Sequence, residues 1–344
     1  MSSPSILFVV DGGPAVGGGH VMRSLTLAAV LNAQGAGCRF IAPPAVAAIL
    51  AAFAPETAQA AAASSAPRDL AEAVAGERYD AIVFDHYGLS AGDHKTMAQG
   101  APAMAIDDLA DRPLGVDMVL DSGPARRVED YDGLVDEGAR LLLGPEFAPV
   151  RPEFAALRET ALAWRGEPVG RVLVSLGLTD VDGVTARVVD RLRPRIGEAG
   201  LDVVLGADAP SLPGLAKIAR RDTRIALHVD SPHMARLTAE ADIAVGGAGS
   251  STWERCTLGL PTLMLVLAEN QRASAQALAE REAALVADVD AADFEATFDR
   301  ALIRLMTDAA LRRGLATHSA ELCDGQGGPR VAEALLKLIA ERAL

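Results

Sequence analysis

Short runs of uninterrupted apolar residues alternate along this chain with longer alanine- and leucine-rich stretches whose apolar positions recur at helical spacing. In the first half the runs are ILFVV (6–10), CRFIA (38–42), YDAIVFD (79–85), APAMAID (101–107), VDMVLD (116–121) and ARLLLG (139–144). Helical patterns lie between them at 20–35, 45–53, 68–76 and 91–99. The second half repeats the alternation with GRVLVSLG (170–177), LDVVLG (201–206), TRIALHV (223–229), ADIAVGG (241–247) and PTLMLVL (261–267). Its helical patterns fall at 182–196, 212–220, 232–239, 250–258 and 271–282, and two more follow at 292–318 and 329–343. Strands without apolar–polar alternation are buried on both faces, which predicts parallel sheets flanked by helices. Two successive sets of such units predict an α/β protein of two doubly wound, Rossmann-like domains facing a cleft. The boundary falls in the proline-, glycine- and charge-rich stretch from Gly144 to Gly170. The expected division is a domain at 1–150, a linker at 151–169, a second domain at 170–325, and a C-terminal helix at 326–344 placed to pack back on the first domain. The alanine-rich segment 57–66 reads as a surface loop or helix.

Composition narrows the classes. A chain of 344 residues has room for about two domains of roughly 150 residues, each with its own core. Half of the residues are hydrophobic and 23% are charged, which excludes intrinsic disorder. The 46 acidic against 32 basic residues give a net charge of −14, which repels phosphate backbones and argues against nucleic acid as a partner. The three cysteines, Cys38, Cys256 and Cys323, are too scattered for a disulfide framework or a cysteine zinc site and fit a reducing compartment. The opening MSSPSILFVVD lacks a basic region, and its apolar run stops at Asp11, so it reads as a strand and not a signal peptide. The most apolar stretch, Ile41–Ala54, is interrupted by Pro43 and Pro44 and is too short to span a bilayer. No two histidines stand four apart, and no metal or other cofactor is expected. The expectation is a soluble, cytoplasmic, monomeric protein acting on a small molecule, without membrane insertion.

Ligands of doubly wound sheets bind beyond the carboxyl ends of the strands, so the loops there carry the candidate chemistry. Gly12–Arg23 (GGPAVGGGHVMR) joins the first strand to the first helix. It lacks both the G-x-G-x-x-G dinucleotide spacing and the Gly-Lys-Ser/Thr of a Walker A loop. What remains is His20 at a helix start, where the helix dipole disfavours an imidazolium and leaves the ring able to accept a proton. FDHYGL (84–89) places Asp85 and Tyr87 on one side of a strand end and His86 on the other. Asp107 and Asp108 are adjacent and point apart, so turn capping is the expected role and not a paired acid and base. The fullest signal is ADIAVGGAGSSTWERC (241–256), a strand, a glycine turn, and a helix opened by Ser250, Ser251 and Thr252. Free N–H groups and three hydroxyls suit a diphosphate, and the Glu254 carboxylate, one turn in, suits ribose hydroxyls. An ordinary helix cap accounts for Ser250 and Glu254 but not for the whole run. Asn270 and Gln271 stand at a further strand end, suited to sugar hydroxyls or amides, and SLGLTD (175–180) forms a second glycine turn.

VGGGHVMRSLTLA (16–28), DHYGL (85–89), IDDLADRP (106–113), LLGPEF with RPEF (142–154) and GSSTWERCTLGLP with AENQ (249–271) together resemble the UDP-sugar hydrolases of bacterial pseudaminic acid biosynthesis (PseG-type). The resemblance covers most of the chain and implies a glycosyltransferase-B-like fold. It also implies hydrolysis of UDP-2,4-diacetamido-2,4,6-trideoxy-β-L-altropyranose to UDP and free sugar, in a pathway serving surface or flagellin glycosylation. Position by position, His20 matches the general base and Tyr87 the active-site tyrosine. Gly249, Ser250, Ser251, Thr252 and Glu254 match the nucleotide site, with Gly19, Gly177, Val229 and Met234 completing that set. Arg151, Asn270 and Gln271 match the sugar-facing positions. Val9 stands where an arginine is usual, Leu178 where a glycine is common, and Asp121-Ser122-Gly123 replaces a usual Asp-Gln-Asn. Two other functions stay open on this evidence: a glycosyltransferase using the same UDP-sugar, and a non-catalytic UDP-sugar-binding protein.

Overall fold

The computed structural model describes residues 3–13, 16–165 and 168–342. Pro14 and Ala15 of the glycine loop, Gly166 and Glu167 of the expected linker, and the last two positions of the expected C-terminal helix lie outside the described residues, as do residues 1 and 2. The chain forms two compact units, one running to Val150 and resuming at Gln326, the other Arg151–Gly325.

The first unit holds β1 (Ser5–Val10), α1 (Gly19–Ala33), β2 (Gly37–Ala42), α2 (Pro44–Phe53), β3 (Gln59–Ala61), α3 (Pro67–Ala75), β4 (Ala81–Asp85), α4 (Ala91–Ala98), β5 (Ala103–Ile106), β6 (Met118–Asp121) and β7 (Arg140–Leu143). The second holds α5 (Pro152–Leu162), β8 (Arg171–Ser175), α6 (Val184–Leu192), β9 (Gly200–Leu205), α7 (Leu212–Ala219), β10 (Ile225–Val229), α8 (Met234–Glu240), β11 (Ile243–Gly247), α9 (Ser251–Thr257), β12 (Thr262–Val266), α10 (Arg272–Glu280), β13 (Leu285–Asp288), α11 (Phe294–Thr307) and α12 (Ala309–Leu322). The chain then returns to the first unit as α13 (Gly327–Arg342).

The sheets are parallel and ordered β3-β2-β1-β4-β5-β6-β7 and β10-β9-β8-β11-β12-β13. Their unbroken apolar strands serve two layers at once. Ile6, Phe8 and Val10 of β1 pack with Val21 and Leu27 of α1, Leu50 of α2 and Leu335 of α13, while Leu7 and Val9 pack with Leu70 of α3 and Met97 of α4. In the second unit Val172 and Val174 face α6, α7 and α11, and Leu173 faces Leu237 of α8. Val9, where the resemblance leads to an expected arginine, is wholly buried in this core. In both sheets the strand order reverses beside the first strand, between β1 and β4 and between β8 and β11. A crevice opens beyond the carboxyl ends at such a reversal, which is where doubly wound sheets take their ligands. No described helix is long and apolar enough to cross a membrane.

Three local expectations are corrected and one strand is added. Gln59–Ala61, within the stretch read as loop or helix, is an edge strand paired with β2. Leu285–Asp288, between the helical patterns at 271–282 and 292–318 and not among the predicted strands, forms β13 and pairs with β12. The long pattern at 292–318 is two helices broken at Asp308, whose extended backbone and side-chain bond to the Leu311 N–H start α12 afresh. The expected linker is mostly α5 and belongs to the second unit. Arg158 donates to the carbonyls of Thr257 (2.5 Å), Ala320 (2.7 Å) and Cys323 (3.0 Å), and buried Arg165 donates to those of Leu258 (2.9 Å), Thr238 (3.1 Å) and Ala241.

Leu335 of α13 is fully buried against β1 and α1. Truncation to alanine should cost about 2–5 kcal/mol, read as a lower urea midpoint. An unchanged midpoint would show that α13 is dispensable to the first core.

Candidate active site

In the first unit the chain leaves β1 through the glycine loop. Gly13 and Gly17 exchange backbone hydrogen bonds (3.2 and 2.7 Å), and both have positive φ, at 132° and 80°. No side chain caps α1 at Gly18, so its first turn, beginning with Gly19, offers backbone N–H groups at the strand-order reversal.

His20 follows, 6% exposed. Its Nδ1 lies 3.3 Å from both the carbonyl oxygen and Oδ1 of Asp85, the last residue of β4. A proton on Nδ1 serves those acceptors and leaves the Nε2 lone pair for other chemistry. Tyr87 meets the imidazole edge-on, with ring centroids 4.5 Å apart and an interplanar angle of 83°.

Asp85 is itself fixed by Arg23, one turn beyond His20. Arg23 Nε and Nη2 grip the two carboxylate oxygens at 2.7 and 2.6 Å, and Ser24 Oγ donates to Oδ2 at 3.1 Å. The remaining arm, Nη1, reaches Asp108 Oδ2 at 2.6 Å, and the Tyr87 hydroxyl donates to the same oxygen at 2.7 Å. Burial opposes the charge on Arg23, but Asp108 and Asp85 outweigh it and hold its pKa well above the ordinary arginine value. Burial likewise works to raise Asp108, yet the Arg23 charge and the hydrogen bonds from Tyr87 and Arg23 leave its carboxyl below the usual range. Tyr87 moves up, through burial and then the Asp108 charge, and stays a neutral phenol.

The alternation read at the end of β4 is realised. Asp85 and Tyr87 enter this network, whereas His86 turns away, with Nε2 on the Ser65 carbonyl (3.1 Å) and Nδ1 accepting from Gly88 N–H (3.0 Å). Asp107 caps its turn through Ala110 N–H (2.8 Å) and pairs with Arg112 (2.9 Å). Asp108 points the other way, into the His20 network, a role sequence reasoning missed. Arg23 was missed too, because its partner Asp85 lies 62 residues away and only the parallel pairing of β1 with β4 brings them together. Behind the network, the Tyr131 hydroxyl bridges Asp121 (2.8 Å) and Asp107 (3.0 Å), and Gly123 N–H donates to Asp121 (2.7 Å). A Cβ at Gly123 would lie 2.8 Å from the Asp121 carboxylate, which favours glycine at this position.

The second unit places its candidates at its own reversal. Gly177, after β8, has φ +108°, a conformation that favours glycine. Gly249 and Ser250 lead from β11 into α9, where Ser250 makes no side-chain capping bond. Ser251 Oγ and Thr252 Oγ1 accept from Arg255 at 2.9 and 3.2 Å. Gln271 clamps its own loop, its Oε1 accepting from Leu267 N–H at 3.0 Å, and its amide nitrogen adjoins Gly249. Asn270 is exposed in a single 3-10 turn. Arg151, placed by the resemblance beside the sugar, has its Nε on Glu254 Oε1 at 2.9 Å and its guanidinium over the Phe154 ring. It therefore holds the carboxylate expected to meet the ribose. Val229 is 43% exposed at the end of β10, and Met234 packs on the Leu173 and Leu237 core.

No family model matches the chain. It is similar to the UDP-2,4-diacetamido-2,4,6-trideoxy-β-L-altropyranose hydrolase of Campylobacter jejuni, with 24% identity over 216 residues, covering 62% of this chain and 76% of that protein. The resemblance is to a nucleotide-sugar hydrolase. The spore coat polysaccharide biosynthesis protein SpsG of Bacillus subtilis is 27% identical over 207 residues, 59% of this chain and 60% of that protein's length. Among solved structures, MurG of Acinetobacter baumannii aligns over 97% of this chain and 99% of its own, with TM-score 0.65 and 17% identity. The fold is that of the glycosyltransferase-B group.

Burial pushes the Asp121 carboxyl up to about 6, against the pull of Arg126. A carboxyl raised on folding contributes stability at low pH and loses it as pH rises through about 6. Asp121→Asn stays neutral throughout, so between pH 4 and pH 7.5 the stability difference should move in the variant's favour by roughly 2–3 kcal/mol. Denaturant midpoints at the two pH values measure this, and parallel profiles would refute it.

Proposed function

We propose that the protein hydrolyses a UDP-linked 2,4-diacetamido-2,4,6-trideoxyhexose to UDP and the free sugar, as a cytoplasmic step of pseudaminic acid biosynthesis. The observation that carries this is the anchored His20, with Nδ1 on Asp85 and Nε2 left as acceptor, in a chain similar to a hydrolase of that substrate class. The diphosphate leaving group departs readily once its charge is met, so water is the poor reactant and needs the base. His20 Nε2 takes a proton from water as the oxygen bonds to the anomeric carbon. The bond from that carbon to the diphosphate oxygen breaks with inversion, and its electron pair leaves with UDP. Asp85 keeps the imidazole oriented while it carries the extra proton, and Arg23 keeps Asp85 from turning. Tyr87, its hydroxyl already donating to Asp108, holds the ring edge and orients water or sugar and does not act as an acid. Nucleotide binding is assigned to the second unit, around Gly249–Thr252 and Glu254.

The full-length likeness to MurG supports a second reading, a glycosyltransferase in which His20 deprotonates an acceptor hydroxyl. Release of free sugar from UDP-sugar with no acceptor present separates the two, and strict acceptor dependence selects the transferase.

His20→Ala should lower kcat by about 10²–10⁴-fold while leaving UDP affinity within about threefold. Undiminished turnover would remove His20 from the mechanism. Hydrolysis in ¹⁸O-water should label the sugar; label appearing in UDP would mean attack at phosphorus.

A further inference from the structure

The Gly249–Thr252 turn is followed by an arginine to which no role has been given. Arg255 is 3% exposed, and among the described residues no carboxylate pairs with it. Its Nη2 donates to the Gly247 carbonyl (2.7 Å) and Thr252 Oγ1 (3.2 Å), its Nη1 donates to Ser251 Oγ (2.9 Å), and its Nε has no hydrogen-bond partner. A buried arginine ordinarily comes with an acid, because an isolated charge in a poorly polarisable interior is costly. Burial draws Arg255 down to about 10, which still leaves it cationic at neutral pH.

Gly246 belongs to the same device. A Cβ there would lie 2.6 Å from Cζ and Nη1 of Arg255, so the glycine makes room for the guanidinium at the end of β11. The polarity of the hydroxyls follows. Ser251 and Thr252 receive Arg255 protons on their oxygens, so their own protons remain to be donated. α9 has only seven residues, so its dipole contributes little and the positive charge at this turn is that of Arg255.

We propose that Arg255 is a positioning residue whose missing counter-charge is the diphosphate of the substrate: it fixes the Gly247–Thr252 turn from beneath, sets the Ser251 hydroxyl as a donor, and balances the phosphate charge without touching it. This rests on the nucleotide assignment made above. Titration calorimetry on the full chain with UDP, uridine and inorganic pyrophosphate tests it. In Arg255→Met, UDP and pyrophosphate should weaken by at least about tenfold and uridine by less than about threefold, with part of the loss recovered in Arg255→Lys. A merely structural role would weaken UDP and uridine alike, and that result, or an unchanged UDP affinity, overturns the proposal. Should Arg255→Met fail to fold, Gly246→Ala, whose Cβ displaces the guanidinium, gives the same comparison. Pyrophosphate binding that depends on Arg255 in a protein that ignores UDP would leave the Arg255 role standing and remove the nucleotide assignment. A wild-type protein that binds neither overturns both.

Discussion

One guanidinium, shut away from water between two carboxylates, organises the first unit's chemistry. Arg23 joins the helix after β1 to the ends of β4 and β5 by gripping Asp85 and Asp108 at once, and His20 and Tyr87 each lean on one of those acids. Such a cluster is held by mutual neutralisation: remove the cation and the buried Asp85 and half-buried Asp108 carboxylates face each other without compensation, which costs more than the loss of a surface ion pair. The imidazole orientation is thus a property of the whole cluster and is not set locally by His20.

Most of the scaffold could be read from the chain because parallel strands buried on both sides leave a signal that does not depend on partners. ILFVV, AIVFD and TLMLV are apolar at every position or nearly so, and each is a central strand. What escaped notice had weaker local character. β3 is built on Gln-Ala-Ala at a sheet edge, where pairing with β2 overrides a poor strand propensity. α5 lies in a stretch whose proline, glycine and charge read as a linker until the carbonyl partners of Arg158, about a hundred residues or more away, are known.

The site followed the same rule. His20, Tyr87 and the Gly249–Thr252 turn were visible because glycine turns and helix starts are local patterns. Arg23 and Asp108 were not, since each meets its partners only when separate strand ends converge; Arg255 binds groups three to eight residues away, but its burial without a paired acid is not written in that spacing. Two of those three are arginines that never reach the surface, in a chain whose net charge is −14. Acidity on the outside and buried cations inside are compatible, because a small anion meets the local field of a turn and not the average of the molecule.

The path of the chain has its own consequence. The first unit is left unfinished at Val150 and completed only by the residues from Gln326 onward, whereas Arg151–Gly325 is contiguous. During synthesis the second unit is therefore complete before the first, whose seven strands are made by Leu143 but whose α13 comes last. The contiguous unit has its full complement of strands while the earlier one still exposes the face of β1 and α1 that α13 will cover. A nascent chain interrupted near residue 325 would carry one finished unit and one with an open apolar flank, the form that chaperones and proteases recognise.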